Sequence, residues 1–283
     1  MSANRIVTKQ TEWLYEAAAE GATERVKQLL NDKNADVNFH QRAQYGSTPL
    51  IAAIVGGHME TAQALLEGGA DISALRTPDA NSPLHEASFR KNPGMVRLLL
   101  QYKDQHTEED LNDKAKDPRR ATGQSSWSMI NAKNQFGNTP LHAAAMAGCA
   151  ATVHVLLDNG ATVDELNNQQ STPLHHACYC IHDNTDVVSA LIRAGANVNA
   201  QDKNHSTPLI VAAKKNQVGA VSLLLKAGAN PAVKDDSNRN AYASAALRNH
   251  VRAMELLEGL APKEDPIESP RTSRGPLSSE IQV

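Results

Sequence analysis

The amino-acid sequence predicts an all-α solenoid of about seven stacked helix-turn-helix units, joined by short hairpin loops. Three observations lead to this prediction. A tetrapeptide of the type Thr-Pro-Leu-His recurs along the chain, a short segment with one or more alanines follows each copy, and a second segment with one apolar face comes directly after it. The tetrapeptides begin at Thr48, Ser82, Thr139, Thr172 and Thr207, and a weaker sixth begins at Asn240.

The segment from Asn134 to Gly160 shows the repeated unit most completely. Gly137 permits the positive φ of a tight turn, Thr139 stands where a helix N-cap is wanted, and Pro140 follows at the first helical position. Gly148 is placed to end this first helix as a C-cap, and a valine- and leucine-rich second helix follows. Helices this short are not stable alone in water, so the units must stack on one another.

These motifs resemble the ankyrin-repeat family, whose period is near 33 residues and whose signature contains Thr-Pro-Leu-His. The resemblance includes the ends of the units, seen at Gly69-Ala70-Asp71 and Gly195-Ala196-Asn197, and it covers residues 11–261. It implies a non-catalytic scaffold or adaptor that binds a partner protein. The binding surface in this family is a concave face, formed by the turn tips and the exposed side of each first helix.

The spacing of the tetrapeptides also divides the chain. Ser82 and Thr139 are 57 residues apart, which indicates a charged insertion at 102–128, either a solvated loop or a docking segment. We expect a flexible N-terminus at 1–10, a repeat domain at 11–261 and a disordered tail at 262–283. The expected repeats lie at 11–42, 43–76, 77–101, 134–166, 167–201, 202–234 and 235–261.

Composition narrows the possible partners. The net charge of -3 and the pI near 6.4 give no general attraction to nucleic acid or to anionic membranes. The sequence contains no apolar run long enough to span a membrane. Three cysteines, an odd number, argue against a disulfide framework and indicate a reducing compartment. We expect a cytoplasmic or nuclear protein, monomeric without its partner, that contacts neither nucleic acid nor membrane.

The sequence does not predict an enzyme. It has no Gly-rich phosphate loop, no nucleophile elbow and no His-Glu-x-x-His motif. His85, His142 and His175 recur with the repeat and therefore do not converge on one site. We expect no catalytic residue and no cofactor.

A histidine- and cysteine-rich stretch at 175–182 raises the question of a metal site. His176 and Cys180, or Cys178 and His182, are four residues apart and can share a helix face as zinc ligands. The two pairs lie on different faces, and no second cluster completes a closed site. We interpret the stretch as structural, with no bound metal, and keep a metal- or redox-tuned sensor as the remote alternative.

Aromatic and basic residues give the predicted concave face its character. Four aromatic residues occupy turn tips or exposed helix positions among Asn, Gln and Ser, a composition typical of protein-binding hot spots; the alternative is that they pack between repeats. Basic residues at the C-terminal end of the face either hold an acidic or phosphorylated partner segment or serve solubility. The predicted partner-binding residues are Tyr45, Phe89, Arg90, Phe136, Met146, Tyr179, Lys214, Lys215 and Arg248.

Further motifs indicate regulation. Asn38 resembles the asparagines that asparaginyl hydroxylase modifies in ankyrin hairpins, although asparagine is also an ordinary turn residue. Ser269 lies in a basic stretch suited to phosphorylation, and Ile281-Gln282-Val283 resembles the C-termini that PDZ-type grooves bind. Repeats followed by a Pro-, Glu-, Ser- and Thr-rich tail also resemble inhibitors of the NF-kappa-B type. That resemblance implies the alternative of a regulatory or inhibitory subunit of an enzyme or transcription factor.

Overall fold

The computed structural model describes residues 8–32, 34–41, 43, 46–105, 129–180 and 184–260. These residues form fourteen α-helices and no β-strand. Two isolated β-bridges, Gln41 with Ser47 and Arg76 with Asn81, close two of the turns that precede first helices. The predicted all-α solenoid of about seven units is confirmed.

The helices follow one another as seven pairs, each with a first and a second helix. The first helices are α1 (Lys9–Glu20), α3 (Pro49–Gly56), α5 (Pro83–Phe89), α7 (Pro140–Ala147), α9 (Pro173–Tyr179), α11 (Pro208–Lys214) and α13 (Ala241–Ala246). The second helices are α2 (Thr23–Asn31), α4 (Met59–Glu67), α6 (Pro93–Gln105), α8 (Ala150–Asp158), α10 (Thr185–Arg193), α12 (Val218–Lys226) and α14 (Val251–Leu257).

The predicted signals set the ends of the first helices. The Thr139 hydroxyl accepts the backbone N–H of His142, and Pro140 occupies the first turn. His142 in turn contacts the N-cap backbone, which completes a capping box. Gly148 ends α7 with a φ of 77°, a left-handed conformation that favours glycine.

The pairs stack with their neighbours in a regular order. Each first helix contacts the first helix of the next pair, and each second helix contacts the next second helix. This order includes α5 against α7 and α6 against α8. The third and fourth repeats therefore pack directly on each other, although residues 106–128 separate them in the sequence.

Leucine and alanine fill the space between repeats. The leucine of each of the first five tetrapeptides is fully buried, and the alanines after it leave room for the neighbouring helix to approach closely. The buried side chains form one continuous cluster that runs from Leu14 to Leu257. Such a core grows with each repeat, so stability depends on contacts between neighbours.

Helix α6 is longer than the other second helices and reaches Gln105, beyond residue 101 where the third repeat was expected to end. Tyr102 lies in this extra turn, and its hydroxyl donates a hydrogen bond of 2.6 Å to the carbonyl of Leu66. The extension is therefore attached to the second repeat, and the first residues of the expected insertion are helical.

Several predictions fall outside the described residues. They concern residues 1–7 of the N-terminus, the partner-binding residue Tyr45, residues 106–128 of the charged insertion, His182, and the tail at 262–283 with Ser269 and Ile281-Gln282-Val283.

Candidate functional site

The turn tips that precede the first helices are tied to one another through their backbones. In each of four successive junctions, an N–H of one tip donates to a carbonyl of the previous tip at 2.9–3.1 Å. The bonds run from Gln135 to Asp79, from Asn168 to Phe136, from Lys203 to Gln169 and from Asp236 to Asn204. The tips therefore form an ordered row along one edge of the solenoid.

One polar side chain shapes each of these turns from within. Asn134 Oδ1 accepts the N–H groups of Phe136 and Asn138, both at 3.0 Å. Asn167, Asp202 and Asp235 hold their own turns in the same way. These bonds satisfy backbone donors that would otherwise need water, so the tips are rigid before any partner arrives.

Gly137 is required in its turn for two reasons. Its φ is 74°, and a Cβ at this position would lie 2.5 Å from Asn168 Oδ1 and 2.6 Å from the Asn168 backbone nitrogen. The glycine therefore permits both the tight turn that the sequence predicts and the close approach of the next tip.

The motif histidines join one repeat to the next. His142 Nδ1 contacts the Thr139 hydroxyl at 2.9 Å, and its Nε2 donates to the Ser171 carbonyl at 3.0 Å. His85 and His175 make the equivalent bonds to the carbonyls of Asn138 and Ser206. Burial is the main cause that lowers the pKa of His142 to about 4, so its ring is neutral at physiological pH. These histidines are structural residues.

Large apolar side chains lie in one register on the exposed side of the first helices. Phe89, Met146, Tyr179 and Leu247 each occupy the seventh position after the helix N-cap. Their exposed fractions are 48%, 41%, 61% and 64%. Because α5, α7 and α9 are consecutive neighbours, the first three side chains follow one another on adjacent helices, and we call this set the apolar row. Phe136, 52% exposed, stands at a turn tip of the same face.

The predicted basic residues divide into two groups. Arg90 and Arg248 are exposed, and Lys215 Nζ lies 3.9 Å from the centroid of the Tyr179 ring, in cation–π contact. Lys214 instead donates to Asp235 Oδ2 at 2.8 Å and to Ser206 Oγ at 3.2 Å. The structure therefore places Lys214 in a largely buried ion pair between the last two repeats, leaves Arg90 and Arg248 exposed, and holds Lys215 half-buried against Tyr179.

Asp235 is the buried partner in that ion pair. Burial raises its pKa, but the hydrogen bond from Lys214 and those from the backbone of Arg239 and Ser237 outweigh burial, and the net pKa lies below its ordinary value. The carboxylate is therefore charged at neutral pH, and it holds both the ammonium group and its own turn.

The histidine- and cysteine-rich stretch is explained by packing in the part that the structure describes. His176 Nε2 accepts a hydrogen bond of 3.0 Å from Asn167 Nδ2, and its ring meets that of His142 edge to face at 5.1 Å. Burial lowers the pKa of His176 to about 3. Cys178 is fully buried, and the Cys180 thiol donates to the Met146 carbonyl at 2.8 Å. Among the described residues, no group of three or more His, Cys, Asp or Glu is arranged to hold a metal ion.

Asn38 uses both ends of its amide group. Its Oδ1 accepts the N–H of Asp71 at 2.7 Å, and its Nδ2 donates to the carbonyl of Gly69 at 3.4 Å. Asn199 links the loops of later repeats in the same way, through Asn230 and Gly228. Asn38 is thus a structural link between loops, and its hydroxylation stays a prediction.

Sequence reasoning missed Lys91 as a surface cation. This exposed residue follows Arg90 and has a φ of 57°, at a position where the second and fourth repeats carry Gly57 and Gly148. A lysine in place of the expected C-cap glycine was the available signal.

The arrangement is that of an α-helical repeat protein. Its ordered turn tips and the exposed side chains of its first helices lie on one face. Residues 14–114, 123–202 and 179–263 match the family model for ankyrin repeats. The chain therefore belongs to the ankyrin-repeat family. Among the described helices, none combines the length and the apolar character needed to cross a membrane.

Solved structures and a curated relative agree with this assignment. The ankyrin repeat domain of Bcl-3, a member of the IkappaB protein family, is 26% identical with a TM-score of 0.65, over 87% of this chain and 98% of that one. The human ASB11 ankyrin repeat domain is 27% identical with a TM-score of 0.68, over 87% and 97%. The Drosophila melanogaster transient receptor potential cation channel subfamily A member 1 is 26% identical in an alignment 219 residues long that covers 64% of this chain. The chain spans 17% of the length of that relative.

Proposed function

We propose that this chain is a non-catalytic scaffold or adaptor that binds a partner protein across its concave face. The observation that carries this proposal is the apolar row of Phe89, Met146 and Tyr179, which three neighbouring first helices expose in the same register. Single exposed apolar residues are ordinary, but an aligned and contiguous set is typical of a surface that a partner covers.

The rigidity of the surface supports affinity. Backbone bonds between tips fix the edge of the face, and the buried histidines fix the first helices relative to the following repeat. A partner therefore loses little binding free energy to the ordering of this surface. Phe136, placed at a tip beside the apolar row, gives the face a second aromatic anchor.

The alternative of a regulatory or inhibitory subunit uses the same face. The similarity to the Bcl-3 domain over 98% of that domain supports it. In this version, the bound partner is an enzyme or transcription factor whose activity changes on binding. We propose cytoplasmic or nuclear localisation and a monomeric free state with either version. The sensor alternative has less support, because packing already engages His176, Cys178 and Cys180.

The test compares two triple variants in affinity purification from native lysate. One variant removes the apolar row, Phe89→Ala with Met146→Ala and Tyr179→Ala. The matched control, Leu75→Ala with Leu166→Ala and Val251→Ala, removes three exposed apolar side chains outside the row. Far-UV circular dichroism establishes that both variants are folded.

We expect wild type and the control variant to capture a partner protein from the lysate that the apolar-row variant does not capture. The affinity of that protein, measured with purified components, should fall by about tenfold or more in the first variant, because buried aromatic anchors dominate interface energies. Equal retention by all three chains would show that the row does not bind a partner.

A further inference from the structure

The concave face has a charge pattern that the apolar row alone does not explain. We define the helix-end positions as the seventh to ninth residues after each N-cap from the second repeat onward, namely 55–57, 89–91, 146–148, 179–180, 214–216 and 247–249. These described positions contain five cationic residues and no Asp or Glu. The cations are Arg90, Lys91, Lys214, Lys215 and Arg248.

Four of these cations are available to a partner. Lys214 is bound to Asp235, but no ion pair within the described part of the chain engages Arg90, Lys91, Lys215 or Arg248. The ammonium group of Lys215 already lies over the Tyr179 ring. An anionic group bound to Lys215 would therefore lie beside Tyr179, so that a neighbouring apolar side chain of the same ligand could pack on the ring.

The electrostatic effects of distant repeats converge near the centre of the apolar row. Burial raises the pKa of the Cys180 thiol, while a hydrogen bond with Asn184 and, to a smaller extent, the positive charges of Lys91 and Lys215 lower it. One lysine belongs to the third repeat and the other to the sixth. Both act on a thiol that contacts Met146, so their fields overlap on the row.

Compensation of helix dipoles does not account for this pattern. A cation at a helix C-terminus is favourable, and each first helix has a C-terminus at which a cation would be favoured. The ends of α3 and α7 nevertheless carry only Gly56-Gly57 and Ala147-Gly148 after the apolar position. The cations lie instead on the third repeat, which contributes Phe89 to the apolar row, and on the sixth and seventh repeats, which follow the row.

We propose that the segment bound by this face is an acidic peptide of the partner protein, with an apolar side chain between its carboxylates. This inference rests on the proposed function and names the chemistry of the partner. The apolar side chain packs on Phe89, Met146 and Tyr179, and the carboxylates pair with Arg90, Lys91, Lys215 and Arg248. Cations spread around an apolar line suit single charges spaced along a chain better than one compact dianion.

The test begins with selection of random phage-displayed peptides on the immobilised full chain. We expect enriched sequences to combine a net negative charge with an aromatic or aliphatic residue. An enriched peptide is then synthesised with a fluorescent label, and its affinity is measured by anisotropy at low and high salt. Binding should weaken with salt, because exposed charge pairs are screened.

Two charge-reversal variants locate the contact. The first combines Arg90→Glu, Lys215→Glu and Arg248→Glu on the concave face. The control combines Arg97→Glu, Lys226→Glu and Arg252→Glu, which are exposed on the second helices α6, α12 and α14 and give the same net charge. We expect the peptide to bind about 30-fold or more weakly to the first variant and within about threefold of wild type to the control. A second test changes the peptide and leaves the protein as wild type. Replacing each Glu of the peptide by Gln and each Asp by Asn should weaken its binding by a similar factor.

The outcomes separate this inference from the proposed function. Neutral or basic peptides that depend on Phe89 and Tyr179 but not on the cations would overturn the acidic partner and leave the scaffold proposal intact. Peptides whose affinity is unchanged by substitution of the apolar row and by substitution of the cations would overturn both the acidic partner and the scaffold proposal. A failure to enrich any peptide, or equal competition by a short single-stranded DNA, would also overturn the inference, because the face would then bind no peptide or any polyanion.

Discussion

The central and flanking junctions of the solenoid share one architecture but use different chemistry. In the third, fourth and fifth repeats, a buried histidine at the third position after the N-cap donates to a carbonyl of the next repeat. The second and sixth repeats carry Ile51 and Ile210 at this position, both buried. An isoleucine fills the same space but forms no hydrogen bond.

The flanking junctions obtain their polar contacts elsewhere. Lys214 pairs with Asp235 between the sixth and seventh repeats, and His250 Nδ1 lies 3.0 Å from the Ala213 carbonyl. Asn38 accepts from the backbone of Asp71 near the other end. The comparison shows that a helix pair can be held by a buried neutral histidine or by an apolar side chain. At the third position after the N-cap, only the histidine can gain a proton, so the contact made there depends on pH in the central junctions alone.

Acidification should lower the stability of the chain more than any substitution below, and it should destabilise the central repeats, which contain His142 and His176, first. Unfolded histidines bind protons below their ordinary pKa of 6.5, whereas His142 and His176 titrate at about 4 and about 3 in the folded chain. Stability is therefore complete above 6.5 and is lost as the pH falls towards 4. Between about pH 7.5 and about pH 5, the two residues together should lower the free energy of unfolding by roughly 4 kcal/mol.

Urea titrations followed by circular dichroism at the two pH values measure this loss, and hydrogen exchange locates it. The amides of α7 and α9 should lose protection before those of α3 and α4. Asp235 does not contribute in this range, because its lowered pKa leaves it charged until the pH falls below its ordinary value of 3.8. Earlier loss of protection in α3 and α4 would contradict the comparison.

Removal of a flanking isoleucine should have the next largest effect. Ile210→Ala leaves a cavity at a fully buried position and should cost about 3 kcal/mol. The cost should be the same at about pH 7.5 and about pH 5, because no proton is involved. Val251→Ala, at an exposed site, is the control and should stay within about 0.5 kcal/mol of wild type. A cost of Ile210→Ala that changed with pH would contradict the comparison, because it would show that a titrating group contributes at this position.

Removal of a central histidine should lower the free energy of unfolding by less than Ile210→Ala does at neutral pH. In acid its effect should be smaller still. His142→Ala loses the bonds to Thr139 and Ser171 and should destabilise the chain by about 2 kcal/mol near pH 7.5. The difference should shrink towards pH 5, because the variant no longer carries a buried group that resists protonation. Urea titration at both pH values checks this, and a constant difference would show that His142 does not contribute to acid sensitivity.

Sequence reasoning predicted the local elements and failed where a contact joins distant residues. The caps at Thr139 and Gly148 could be predicted because a few neighbouring residues determine each helix end. The ion pair of Lys214 with Asp235 spans 21 residues, and the bond of Tyr102 to Leu66 spans 36. The periodicity of the sequence describes the average unit, so it does not predict contacts that occur in one repeat only.

The candidate site shows the same limit. The register correctly placed Phe89, Met146 and Tyr179 on exposed positions, since the repeat fixes which side of a helix faces outward. It missed Lys91 and assigned Lys214 to the surface, although the structure pairs Lys214 with a buried carboxylate. Whether the predicted residues bind a partner stays a prediction.

The sequence by itself determined the number of units, the ends of most helices and the family, because these depend on residues within one repeat. The tertiary structure decided which cations are available, which histidines are neutral and which polar side chains join repeats. Those properties depend on burial and on distances between residues that meet only when the repeats stack. The pKa of His176 shows this clearly, since its ring is neutral because the fourth and fifth repeats enclose it.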